Sequence, residues 1–284
     1  MITVTSLHLY PVKSCRGVEV THLDLDDRGP REDRRWMIVN GEGVFQTQRE
    51  FPRLSLVAVE LTESGIRLSA PNLPAIDVAR PTELGADFVT QVWDDDARVR
   101  PASPAANAWI SEYLGAPAQL VHLPDESVRV MRAEFAGRLT EPRRVSLTDG
   151  SPLLLIGSAS LDDLNARLTL PLPMNRFRPN VVVSGSAPFA EDDWRQIRIG
   201  VVSFEVAKLC ARCATTTVDQ ATGVRGVEPL RTLATYRRRG SQVMFGQNIA
   251  HHAPGQLHVG DSVEVVDRSE QDVRGGAQRS RAPV

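Results

Sequence analysis

Cysteine is scarce in this chain: Cys15, Cys210 and Cys213 are the only three among 284 residues. So few, and an odd number, argue against the disulfide framework that staples small secreted domains. Net charge is also lacking. Basic and acidic side chains number 33 and 35, leaving −2, so no global field recruits nucleic acid and none is expected as a partner. No apolar run approaches the roughly 20 residues that cross a bilayer, and no membrane span is expected. The opening stretch MITVTSLHLYPVKSC has no charged start, apolar core or small-residue cleavage site of a signal peptide. With its unpaired thiols, the chain reads as cytoplasmic. It shows no tandem repeat. It also shows no Gly-x-Gly-x-x-Gly after a strand, so a nicotinamide or flavin domain is not expected.

What the chain does contain is strand signal. The length suits two domains. TVTSLHLYPV alternates apolar and polar residues. RWMIVN runs through a glycine-containing turn into GVF, LSLVAVELTESGIRLSA repeats the scheme, and FVTQVWDDDARV adds a strand and an acidic turn. SPAANAWISEYLG predicts a helix with Ser103 as cap, Pro104 just inside and Gly115 as stop. Ala108, Ile110 and Leu114 would form its inner face, with Trp109 beside them. AQLVHLP is a short strand.

A loop-rich basic segment, 124–144, follows, and the domain boundary is placed at its start. Beyond it SPLLLIG, NVVVSG, QIRIGVVSFEVAK and ATTTVD read as strands. SASLDDLNARL reads as a helix capped by Ser158 or Ser160, with Asp162 and Asp163 in its first turn. QLHVGDSVEVVD reads as a strand pair around a Gly-Asp turn. The expected organisation is a β-rich α+β chain with few helices. Its two barrel-like domains span 1–123 and 124–268, and 269–284 form a disordered tail.

The stretch KLCARCATTTVD poses the functional question. A zinc site needs four ligands. Beyond Cys15 the nearest helpers are His251 and His252, which as strand neighbours point to opposite faces. A redox dithiol sits at a helix start, whereas Ala-Thr-Thr-Thr-Val favours a strand. A small buried hydrophobe describes Cys210 better than Cys213, which follows Arg212 and has Lys208 close in sequence. A fourth reading is a single thiolate on a metal whose other ligands come from a cofactor, and spacing alone does not select it. Four other segments pair cations with small polar residues: Lys13 and Ser14; Arg34 and Arg35; Thr47 and Arg49; and Arg176, Arg178 and Asn180. Such groups suit a phosphate-bearing ligand, and each alone also suits a solvated surface.

LYPVKSCRG, DRRWMIV, TQREFPRL, DGSPLLLIGSASLDDLNARL, FRPNVVVSG, CARCATTTVDQATG, EPLRTL, FGQN and VGDSVEV stand in one order along the chain. In these the sequence resembles the two-part MOSC family, a MOSC N-terminal β-barrel domain followed by a MOSC β-barrel domain, and most resembles its amidoxime-reducing members. The resemblance implies a molybdenum–molybdopterin cofactor, its metal held by a pyranopterin dithiolene and by one cysteine, Cys213. Cys210 is then structural. It further implies cofactor contacts from Lys13, Ser14, Arg34, Ser151, Arg178, Asn180 and Arg212, and no pyridoxal phosphate. The implied activity is reduction of N-hydroxylated compounds with electrons from a separate ferredoxin or flavoprotein reductase. The alternative is a non-catalytic carrier of sulfur or of the cofactor. Arg129, Arg132 and Arg138 are the expected meeting point for an acidic partner. Ala211 and Asn248 depart from residues common in the family. Asp219 is read as holding a turn, with no acid or base assigned.

Overall fold

A computed structural model describes residues 1–82, 87–141 and 143–268. The tail read as disordered lies outside these residues. Seven strands close into a barrel: Leu153–Gly157, Val181–Ser184, Ile2–Leu9, Ser262–Arg268, Trp194–Ile199, Val202–Ala211 and Gln242–His251, which pairs back with Leu153–Gly157. Only the first two of these are parallel. Period-two patterning explains the closure. Val202, Phe204 and Val206 turn inward with Ile197, Ile199, Leu7 and Val183 into one core. Leu153 and Leu155 join that core, while Leu154 and Ile156 pack outward against Phe177 and Phe245. That strand is buried on both faces, hence its unbroken apolar run.

The N-terminal strand belongs to this barrel. Ile2–Leu9 pairs with Val181–Ser184 on one side and with Ser262–Arg268 on the other. His22–Asp26 pairs with Gly255–His258. The first residues are thus built into the barrel formed by the last. Between these strands, Trp36–Asn40, Ala118–His122, Asp95–Pro101 and Phe88–Val92 form a four-stranded sheet, and Ala58–Thr62, Gly65–Ala70 and Leu73–Ala79 a three-stranded one. The helix Pro104–Leu114 seals this half. Ser103 accepts from the Ala106 amide, and Gly115 ends the helix at φ +67°.

Several local expectations need correction. The inner face of that helix is Ala106, Trp109, Ile110, Tyr113 and Leu114, while Ala108 is exposed. The strand read after Trp36–Asn40 reduces to two isolated bridges, Val39 to Phe45 and Val44 to Gln91. The helix Ser158–Asn165 is capped by Gly157 and has no acid in its first turn. Glu191 caps it from elsewhere in the chain, accepting from the Gly157 amide and from Ser160 Oγ. Gly255–His258 and Ser262–Arg268 do not pair with each other. Ala214–Thr217 is a 3-10 turn rather than a strand, because Thr216 and Thr217 fold their hydroxyls back onto the carbonyls of Cys213 and Ala214.

Candidate active site

One cleft of about 240 Å³ gathers Lys13, Ser14, Arg34, Ser151, Arg178, Asn180, Arg212 and Cys213. The eight residues that the resemblance implies for the cofactor all line it, drawn from segments scattered over the chain. Thr47 and Arg49 line it too. Arg35 and Arg176 do not. Arg35 donates to Leu123 O and pairs with Asp125, and Arg176 pairs with Asp219. Asp219 also accepts from the amides of Ala221 and Thr222, so it holds a turn. The chain has two lysines, Lys13 and Lys208, and both line the cleft. Six cationic side chains face it against one carboxylate, Asp149. A chain of net charge −2 therefore carries a locally positive cavity, suited to an anion.

Three of these residues hold backbone conformations that only glycine adopts freely: Ser14 at φ +72°, Arg34 at +47° and Arg178 at +56°. Strain of this kind costs on the order of 1–3 kcal/mol each and gathers at functional sites. The surrounding contacts fix it. Gln48 Nε2 donates to Ser14 O at 2.7 Å and exchanges amide hydrogen bonds with Gln220, tying the segment around Thr47 to the loop that follows Cys213. Arg178 Nη1 donates to Cys15 O at 2.6 Å. Arg34 donates to Asp33 and, at 3.0 Å, to Asn180 Oδ1. Asn180 is only 1% exposed. It accepts from the Leu154 amide and donates to His8 O, so it joins two barrel strands as well as facing the cleft.

Tyr10 is the residue that sequence reasoning missed. The guanidinium carbons of Arg34 and Arg178 lie 4.4 and 4.2 Å from its ring centroid, an arrangement that favours cations on an aromatic face. Burial pushes the Tyr10 hydroxyl up to about 12. Burial, with Arg34 as a like-charged neighbour, pulls Arg178 down to about 10. Gly17 makes room, since a Cβ there would come within 2.4 Å of the ring. A lone aromatic before a proline carries no signal of this role in the sequence.

Lys13 Nζ bonds Asp149 Oδ1 at 2.6 Å and Leu147 O at 2.9 Å. Burial lowers its pKa, partly offset by Asp149. Desolvation within the cleft would raise the Asp149 carboxyl, but the Lys13 charge and hydrogen bond, with help from Trp93 and Arg49, hold it well below the usual carboxylate range.

The cysteines divide as follows. Cys15 is buried, and burial pushes its thiol up to about 12. Cys213 is exposed and opens the 3-10 turn. Cys210 is half-buried, and its sulfur, not that of Cys213, takes the Arg212 guanidinium.

Three buried polar atoms of cleft residues lack a protein partner: Ser151 Oγ, Thr148 Oγ1 and Arg212 Nε. Buried polar groups are normally paired, so these suit an additional polar ligand. Among the described residues no group of three or more His, Cys, Asp or Glu side chains gathers as a metal site. A metal at Cys213 would therefore take its other ligands from a cofactor, which the cations and orphaned atoms fit. The basic segment after 124 is not a free patch. Arg129 is buried and pairs with Asp95, Arg132 pairs with Asp94 and Asp95, and Arg138 also has a partner. Arg129 and Arg132 thus direct their charge at the acidic turn holding Asp94 and Asp95.

A β-barrel closed by its own first strand, with a cationic cleft over a single exposed thiol, defines the class. The MOSC N-terminal beta barrel domain matches residues 1–117 and the MOSC domain residues 142–264. The chain belongs to the MOSC family in its two-domain form. It is 36% identical over 278 residues to mitochondrial amidoxime-reducing component 1 of Homo sapiens, covering 92% of this chain and 82% of that one. To mitochondrial amidoxime reducing component 2 of Rattus norvegicus it is 34% identical over 280 residues, with 92% and 82% covered. To the molybdenum cofactor sulfurase of Danio rerio it is 34% identical over 270 residues, with 88% of this chain and 32% of that one covered. It is a MOSC protein related to the molybdenum cofactor. Among the described residues no helix is long and apolar enough to cross a membrane.

Proposed function

We propose that this chain is a molybdenum-cofactor oxidoreductase that reduces N-hydroxylated compounds (hydroxylamines, amidoximes and N-hydroxylated bases) with electrons from a separate redox protein. The observation that carries the reading is the convergence of cations, orphaned polar atoms and the exposed Cys213 in one cleft. Likeness to the amidoxime-reducing components supports it.

Cys213 is the proposed metal ligand, since a thiolate suits a soft site. Lys13, Arg34, Arg178 and Arg212 hold the anionic cofactor by charge-assisted hydrogen bonds, Ser14 and Ser151 add polar contacts, and Asn180 keeps Arg34 aimed. The strained backbone at Ser14, Arg34 and Arg178 preorganises these donors. When bound, the cofactor supplies two-electron abstraction of the N–O oxygen, which leaves as water. The chain's own part is to orient that cofactor and leave its substrate side open. The electrons come from outside. With Cys213 assigned and Cys15 buried, the chain offers no iron–sulfur ligand set, and a ferredoxin or flavoprotein reductase is the proposed donor. The cytoplasmic location belongs to the same proposal.

The likeness to molybdenum cofactor sulfurase favours one second reading, a carrier of the cofactor or its sulfur. Incubating the molybdenum-loaded chain with an apo-molybdoenzyme separates the two. An enzyme keeps its metal, and a carrier surrenders it and activates the acceptor.

A further inference from the structure

Trp93 touches two residues of the cleft wall, Asp149 and Arg49, and takes no part in the reading above. It occupies the tip between Phe88–Val92 and Asp95–Pro101 at φ +61°, where a bulky side chain is a strained outlier. Its side chain leaves it 42% exposed, while Trp36, Trp109 and Trp194 are 0%, 7% and 0% exposed.

The indole is nonetheless held. Nε1 donates to Asp149 Oδ1 at 3.1 Å, the Arg49 guanidinium lies 4.5 Å from the ring centroid, and Phe45 meets it edge to face at 5.4 Å. Arg49 and Asp149 both line the cleft. Behind the ring the turn is clamped. Arg132 pairs with Asp94 at 2.9 Å and Asp95 at 3.4 Å, and Arg129 with Asp95 at 2.8 Å. Arg132 continues to Glu134 at 3.0 Å. The next residue, Phe135, lines the cleft over Gly150, where a Cβ would come within 2.1 Å of its ring. An aromatic that is strained, exposed and fixed on several sides contributes little to a core. The exposed part of the ring is available to a flat ligand.

We infer that Trp93 is an aryl-recognition subsite beside the cleft: it stacks the aromatic or heteroaromatic part of the substrate and makes the chain prefer aryl over alkyl N-hydroxylated compounds. The inference rests on the reductase reading and deepens it. Because Trp93 is the one exposed tryptophan among the described residues, its fluorescence reports binding without turnover.

Benzamidoxime should quench the red-edge tryptophan emission of the wild-type chain saturably, and acetamidoxime only weakly. Trp93→Phe should remove the quenched component. Trp93→Ala should lower kcat/KM for benzamidoxime about tenfold more than for acetamidoxime, the scale of one aromatic contact, and Trp93→Phe should restore most of the ratio. Equal quenching by both compounds, or an unchanged aryl-to-alkyl ratio in folded Trp93→Ala, would overturn the subsite. Reduction of benzamidoxime without quenching likewise refutes the subsite and leaves the reductase reading standing. Quenching without reduction supports the subsite and refutes the reductase reading.

Discussion

Arg212 Nη1 donates to the sulfur of Cys210 at 2.9 Å, while its Nη2 reaches Phe177 O at 2.6 Å. The first cysteine of the pair thus aims the arginine, and the second is left free at the cleft surface. The two thiols should fail differently. Cys213→Ser is expected to abolish turnover, because a hydroxyl is a harder and poorer donor to the metal. Cys210→Ser keeps an acceptor for Arg212, so it should retain most of the molybdenum and cost mainly stability. Metal analysis and turnover on both variants check this. A dead Cys210→Ser beside an active Cys213→Ser would reverse the assignment.

Asn180 serves the fold and the cleft at once. Asn180→Ala would strip its side-chain partner from the Leu154 amide and from His8 O, while Arg34 Nη1 would keep Asp33. Buried groups left unpaired this way cost about 2 kcal/mol. The loss should show in urea unfolding of the cofactor-free chain, before any effect on activity is considered. A variant as stable as wild type would mean that these hydrogen bonds contribute nothing net.

The Tyr10 platform makes Gly17 sensitive. Gly17→Ala places a Cβ within 2.4 Å of a buried ring, and the ring must shift under Arg34 and Arg178. Molybdenum occupancy should fall in Gly17→Ala, as it should in Lys13→Ala, Arg34→Ala and Arg178→Ala, which delete cationic contacts directly. Full occupancy in all four would return these cations to ordinary surface charge.

How much of this was legible in sequence depends on how local each signal is. Ser103, Pro104 and Gly115 bracket a helix through contacts within a few residues, and that helix was readable. The pairing of Ile2–Leu9 with Ser262–Arg268 joins opposite ends of the chain, and alternation alone names no partner. The Ala-Thr-Thr-Thr run misled because β propensity yields to hydroxyls that bond their own backbone. Lys13, Arg34 and Arg178 stood out as cations. Their positive φ values, the Tyr10 ring beneath two of them and the clamped Trp93 turn are products of tertiary contact, with no local pattern to betray them.

Alkaline pH tests the burial of Cys15. Its thiol is raised from 9.0 to about 12 in the folded chain. Between those values the unfolded chain gives up the proton and the folded one keeps it, so this contribution is complete below pH 9 and is lost as pH rises toward 12. Tyr10, raised from 10.0 to about 12, acts in the same sense. Lys13 and Arg178, whose values are lowered, act in the opposite one. Comparison with Cys15→Ala isolates the thiol. The stability gap between the two proteins should narrow by about 1 kcal/mol per pH unit above pH 9. A gap independent of pH would contradict the burial argument.

The most direct test of the central claim is anaerobic reduction of benzamidoxime by the purified, molybdenum-loaded chain with reduced methyl viologen as donor. Benzamidine should form in proportion to bound molybdenum. None should form in Cys213→Ser, nor in wild type given NADH or NADPH alone. A chain replete with molybdenum that makes no benzamidine from reduced viologen would contradict the account.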